Sequence, residues 1–123
     1  MARIALLCPD LMFGSRLEDS LRTAGHDVTR YDGDDMARAA VDEADALVVD
    51  VAADQYDGPT LVESMHFSRE LEGVATVGFY PHVDQELRRR ADEAGFDIVV
   101  PRSRMAREAP AVLERALALR DKA

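Results

Sequence analysis

Apolar and polar positions alternate along the chain between two rhythms. Ile4-Ala5-Leu6-Leu7-Cys8 is an unbroken apolar run of strand length closed by Pro9-Asp10. Leu11 to Ala24 then changes to helical spacing, with Phe13, Leu17, Leu21 and Ala24 on one stripe and Gly25 as the stop. His26 to Tyr31 alternates with fewer aliphatics, as an edge strand does, and Asp32 to Asp35 supplies turn and cap residues for a short helix carrying Met36, Ala39, Ala40 and Val41. Ala46-Leu47-Val48-Val49 is a second unbroken run and stops at an acid, Asp50. Pro59 to Leu71 reads as a helix buried through Leu61, Val62, Met65 and Leu71, stopped near Gly73. Ala75 to Tyr80 is a fourth strand ended by Pro81, Asp84 to Ala94 a charged helix facing inward through Leu87, Ala91 and Ala94, and Asp97 to Val100 a fifth strand. Ser103 to Ala123 is the last helix, striped by Met105, Val112, Ala116 and Leu119, with Pro110 starting its main body or kinking it.

Five strands alternating with five helices imply an α/β three-layer sandwich, a parallel sheet with right-handed crossovers. Runs without polar alternation belong to strands covered on both faces, so Ile4–Leu7 and Ala46–Val49 are the inner strands. That assignment matches the flavodoxin-like order 2-1-3-4-5. Ligands in such sheets lie at the carboxyl ends of the strands, where Cys8, Asp10, Asp50, Tyr80, His82 and Arg102 converge. The fold alone assigns no chemistry.

At 123 residues the chain reads as one domain, 1–123, long enough to bury about two-thirds of its unfolded surface. With 24 acids against 15 bases the net charge is −9, a field that opposes nucleic acid and anionic membrane. One cysteine, Cys8, excludes an internal disulfide and, with no long apolar segment or leader pattern, points to the cytoplasm. Gly14 is the one glycine in the first strand–helix loop region, and no GxGxxG or P-loop occurs to cradle a phosphate cofactor. His26 and His66 have no partners at metal spacing, and Arg88-Arg89-Arg90 is balanced by Glu86, Asp92 and Glu93.

The acid ending the third strand, with Asp57-Gly58 following and a helix beyond, resembles the CheY-like receiver domains of response regulators. The resemblance covers nearly the whole chain in length and element order. It implies an acceptor aspartate at that acid, a pair of acids after the first strand holding a divalent cation, a Thr or Ser after the fourth strand, and a Lys followed by Pro after the fifth. The cation and the lysine would offset phosphoryl charge. Counting from Ala94-Gly95, the acceptor position falls on Asp50, the hydroxyl position on Tyr80 and the lysine position on Arg102.

The residues at those positions depart from the pattern. Cys8-Pro9-Asp10 offers at most one carboxylate where a pair belongs, so Asp10 and Asp50 are weak metal candidates and no metal site is expected. Asp54 stands where the family usually has proline, and its charge adds repulsion near Asp50 unless it turns outward. Tyr80 is too bulky to act as the small hydroxyl, and Arg102 is a planar fork preceded, not followed, by its proline, Pro101.

The expected function is therefore that of an atypical, degenerate receiver, a pseudo-receiver in two-component signal transduction that acts through contact with a protein partner the sequence does not name. It is not expected to be an enzyme and needs no cofactor. In this reading Asp50 is a structural acid that hydrogen-bonds loop amides or pairs with Arg102, and Asp10 is a helix cap. Two alternatives stay open: a working phospho-receiver with Asp50 as acceptor and Mg²⁺ bound, and a small-ligand or anion binder using Asp10, Tyr80, His82 and Arg102. A Cys8/His82 nucleophilic site can be drawn, but no glycine-rich oxyanion loop follows the cysteine. Leu113, Leu117 and Leu119 with Val112 and Ala116 make the last helix the candidate contact for a homodimer.

Overall fold

The computed structural model describes residues 1–81 and 83–121. Its strands are β1 (Arg3–Leu7), β2 (Asp27–Tyr31), β3 (Ala46–Asp50), β4 (Ala75–Tyr80) and β5 (Ile98–Pro101). They form one parallel sheet of order β2-β1-β3-β4-β5. Its helices are α1 (Leu11–Thr23), α2 (Asp34–Ala40, continued by a 3₁₀ turn at Val41–Glu43), α3 (Gly58–Phe67), α4 (Gln85–Ala94) and α5 (Arg102–Asp121). This is the flavodoxin-like arrangement expected from the two apolar runs, both of which are interior. β4 is interior as well and buried along its whole length.

Strand side chains alternate between two cores. On one face Ile4, Leu6, Val48, Val77 and Phe79 meet Leu17 and Leu21 of α1 and Met105, Val112 and Leu113 of α5. On the other, Leu7, Leu47, Val49 and Tyr80 meet Ala37 of α2, Leu61, Val62 and Met65 of α3, and Ala91 of α4. Asp10, Asp57 and Asp84 each cap a helix by accepting a backbone N–H three residues on, from Phe13, Thr60 and Leu87.

Several sequence expectations shift by a residue or a face. β1 stops at Leu7, although the Cys8 N–H still reaches Tyr31 O at 3.1 Å. α3 ends at Phe67 because Arg69 turns left-handed (φ 60°), and the Glu70 N–H returns to Met65 O, which still carries Leu71 into the core. Met36 is exposed, since Ala37 and Val41 are the inward positions of the short helix; Ala24 is an exposed C-cap. On α5, Leu113 is fully buried and Leu117 packs on the core, whereas Leu119 is exposed. Val112, Leu113 and Ala116 face the core beyond the proline break, and the helix turns Leu119 outward near its end. Of the five apolar residues named for a homodimer contact, Leu119 is exposed, Leu117 is partly buried and the other three are buried.

Candidate functional site

Asp50 ends β3 on the α1/α5 face, in phase with Ala46 and Val48, and its side chain is 7% exposed. Its Oδ1 accepts the Ala52 N–H at 3.1 Å. Burial pushes its carboxyl above the ordinary aspartate range, against the opposing pull of that N–H and of the Arg102 charge. Arg102 opens α5 immediately after β5 and leans across the strand ends. Its Nη2 donates to Asp10 Oδ2 at 2.6 Å, its guanidinium lies 4.0 Å from the centre of the Phe13 ring, and Nη1 stands 3.9 Å from Asp50 Oδ2. The structural reading of Asp50 holds in both parts, a loop N–H bond and an ion pair with Arg102, but the pair is long at 3.9 Å because the hydrogen-bonded partner of Arg102 is Asp10.

Asp10 is the helix cap the sequence suggested. The Phe13 N–H, and next the Arg102 guanidinium, hold its carboxyl below the usual range. Cys8 is fully buried, its thiol pushed up to about 12 by burial and then by the Asp50 charge. A thiol so raised is a packing group rather than a nucleophile. Tyr80, drawn at the same crevice from its position in the sequence, instead packs into the opposite core, because it alternates with Phe79. His82, the remaining crevice candidate, lies outside the described residues. Asp54 is exposed and turned outward.

Three residues bear on the site without having been picked out by the sequence. Tyr56 donates from its hydroxyl to Asp50 O at 2.8 Å and Leu7 O at 3.3 Å, tying the ends of β1 and β3 together. Burial, then the Asp50 charge, raises its phenol well above the ordinary value. Arg30 of β2 donates to Cys8 O at 2.9 Å and lies over α1 at Gly14, where a Cβ would come within 2.6 Å of its Cδ. Phe13 was placed on a core stripe, and its second role is as the platform for Arg102, itself set against Phe79 at 5.3 Å. An aromatic in a polar loop six residues after Asp50 is the one signal that could have found Tyr56.

Gly58 gives the Asp-Gly pair a packing reason. A Cβ there would stand 2.9 Å from Val51 Cα, so α3 approaches the β3 end only with glycine at that place, while Asp57 caps α3 and pairs with Arg90 at 2.8 Å. A groove of about 560 Å³ opens beyond Tyr56, lined by Ala52, Asp54, Tyr56, Asp84, Leu87 and Arg90 among others; Asp10, Asp50 and Arg102 do not line it. Among the described residues no group of three His, Cys, Asp or Glu side chains could hold a metal ion. The donor set does not fit the divalent cation of a receiver, because the second carboxylate is absent and Asp10 is already engaged by Arg102.

Comparison with solved structures finds the same fold that the topology suggests. It superposes on a CheY-like response-regulator receiver domain protein from Methanospirillum hungatei JF-1 with a TM-score of 0.83 at 17% identity, over 99% of this chain and 98% of that one. A putative response regulator from Chloroflexus aurantiacus J-10-fl gives 0.85 at 22% identity, covering 95% and 98%. The chemotaxis response regulator CheY4 of Vibrio cholerae gives 0.82 at 14%, covering 94% and 98%. No protein-family model matches the sequence, and no curated protein matches it either. The fold is that of CheY-like receiver domains. Among the described residues no helix is long and apolar enough to cross a membrane.

Proposed function

We propose that the chain is a receiver-like signalling domain that regulates by protein–protein contact and has given up Mg²⁺-dependent phosphorylation. The observation that carries this reading is the place of Arg102: seated on Phe13, it lies 2.6 Å from Asp10 and 3.9 Å from Asp50, between the two acids a cation would have to bridge. A fixed guanidinium offsets their charge permanently, so no ion need be recruited and no phosphoryl group is needed to stabilise it. The buried Tyr80, in place of a small hydroxyl, supports the same reading, since it offers no group that slides toward a modified Asp50. The module is then non-catalytic. A reducing, cytoplasmic setting suits its single, free and buried cysteine.

A titration with Mg²⁺ and beryllofluoride, a phosphoryl mimic, watched through amide chemical shifts, tests the proposal. The expected result is no saturable shift at Asp50, Val51 or Ala52 at millimolar Mg²⁺. A saturating response that disappears in Asp50→Asn would make the domain a phosphorylation switch with Asp50 as acceptor. Binding of a plain anion such as sulfate, lost in Arg102→Ala, would instead favour a small-anion site.

A further inference from the structure

α5 is two arms joined by a break. Glu108 leaves the helical region (φ −134°, ψ 29°), and Pro110 follows. A proline at that place has no N–H for the carbonyl of Ala106, so the ladder of hydrogen bonds that makes a helix move as one rod is interrupted between residues 107 and 110. Each arm has its own anchor. The second is held by buried Ala109, Val112, Leu113 and Ala116 and, at its far end, by Arg120 bound to both oxygens of Asp97. The first is held by the buried Met105 and by Arg102 on its seat between Phe13 and Asp10.

We propose that the first arm of α5 is a hinged reporter of the strand-end cluster through Asp10: whatever changes the charge or occupancy of that carboxylate releases Arg102 and loosens residues 102–107, while 109–121 stay docked. The inference rests on the reading that Arg102 takes the cation's place, and it adds how the state of that cluster reaches the surface. Arg102 is the first residue of the arm and Met105 lies one turn on, so loss of the arginine's seat is felt directly at the arm's core contact. The second arm is insulated by the break, because Pro110 removes the backbone hydrogen bond to Ala106 O that would join the two arms, and its own core contacts hold it. Tyr80 takes no part, since it packs on the other face of the sheet.

Residue-resolved amide exchange and methyl spectra of the whole chain test this. Ala106 and Arg107 are the first-arm amides with helical acceptors, at Arg102 and Ser103, and Met105 supplies a methyl probe. In Arg102→Ala their exchange should accelerate about tenfold or more and the Met105 methyl should shift, with amides 113–120 changed by less than about twofold. Pro110→Ala restores a donor to Ala106 O, and in the double variant the effect of Arg102→Ala should spread evenly over both arms. Equal acceleration of both arms in the single variant overturns the hinge, as does an unchanged first arm. Should Arg102→Ala not fold, Arg102→Lys keeps the charge without the fork and should give the same selectivity at smaller amplitude; a uniform response there also overturns the proposal. A saturable beryllofluoride response in the wild type would sink the cation-substitute reading, yet leave the selective loosening standing.

Discussion

An arginine ties each end of α5 to an acid of the sheet, and the two ties differ in how completely the acid is paired. At the amino end of the sheet, Asp97 accepts the Thr76 N–H at 2.8 Å and the Thr76 hydroxyl at 3.3 Å, and Arg120 at 3.0 and 2.9 Å on its two oxygens. The Thr76 oxygen in turn accepts the Asp97 N–H at 2.9 Å. At the carboxyl end, Asp50 is more deeply buried but accepts one loop N–H, and its arginine stands back at 3.9 Å because Asp10 holds it. Low local dielectric makes an acid paired on both oxygens rigidly held and one paired on a single N–H sensitive to any change of charge. The first tie is therefore a structural latch and the second a place where a signal can act.

The largest expected effect breaks the latch. Asp97→Ala removes the acceptor for the Thr76 backbone and hydroxyl and strands Arg120, whose Nε is already buried without a partner among the described residues. Stability measured by urea unfolding should fall by about 2–4 kcal/mol. A loss below about 0.5 kcal/mol would mean that the amino-end network is decoration and that the contrast between the two ends is false.

A smaller loss should follow from Gly58→Ala, beside the carboxyl-end cluster. The added methyl meets backbone at 2.9 Å, which cannot rotate away as a flexible side chain would. About 1–3 kcal/mol of stability should go as α3 is pushed off the end of β3. The Asp-Gly spacing would thereby be accounted for by packing. A neutral outcome would return that pair to the list of features kept for phosphoryl chemistry.

How much of this was legible differs by level. Apolar runs such as Ile4–Leu7 and Ala46–Val49 report burial on two faces directly, so strand order and the interior strands follow from the sequence. The cap at Asp10 was legible, because a short acid before an apolar-periodic stretch has a local partner three residues on, whereas Asp57 was read as a turn residue and Asp84 as the first residue of its helix. The site was legible as a set of positions but not as a set of contacts. Position counting brought Asp50 and Tyr80 to one crevice, whereas strand alternation sends Tyr80 to the opposite core. Arg102 bonds Asp10 while its guanidinium lies over the ring of Phe13, a contact across 89 residues that no local pattern encodes. The helix-ending turn at Arg69 was missed because a non-glycine residue there takes the left-handed conformation that sequence readers reserve for glycine.

Asp50→Asn should give the smallest effect and the sharpest contrast with Asp97. The amide oxygen can still accept the Ala52 N–H, and the strong bond of Arg102 to Asp10 is untouched. What the variant removes is a charge held in a buried place, where burial raises the carboxyl above its unfolded value of about 3.9. The raised group keeps its proton longer in the folded state than in the unfolded one. Its contribution to stability is therefore fully present below about pH 4 and is lost as pH rises through the folded value. Asparagine does not titrate, so the stability of Asp50→Asn relative to wild type should increase from pH 3 to pH 7, ending equal to or above wild type by less than about 1.5 kcal/mol. Paired urea unfolding curves across that range provide the measurement. A variant that instead loses stability relative to wild type as pH rises would mean that Asp50, like Asp97, is held by its arginine in solution. Because burial alone predicts this sign, a stabilised Asp50→Asn does not by itself argue for a metal-binding acid. The beryllofluoride titration carries that decision, and the pH series decides how far Arg102 reaches.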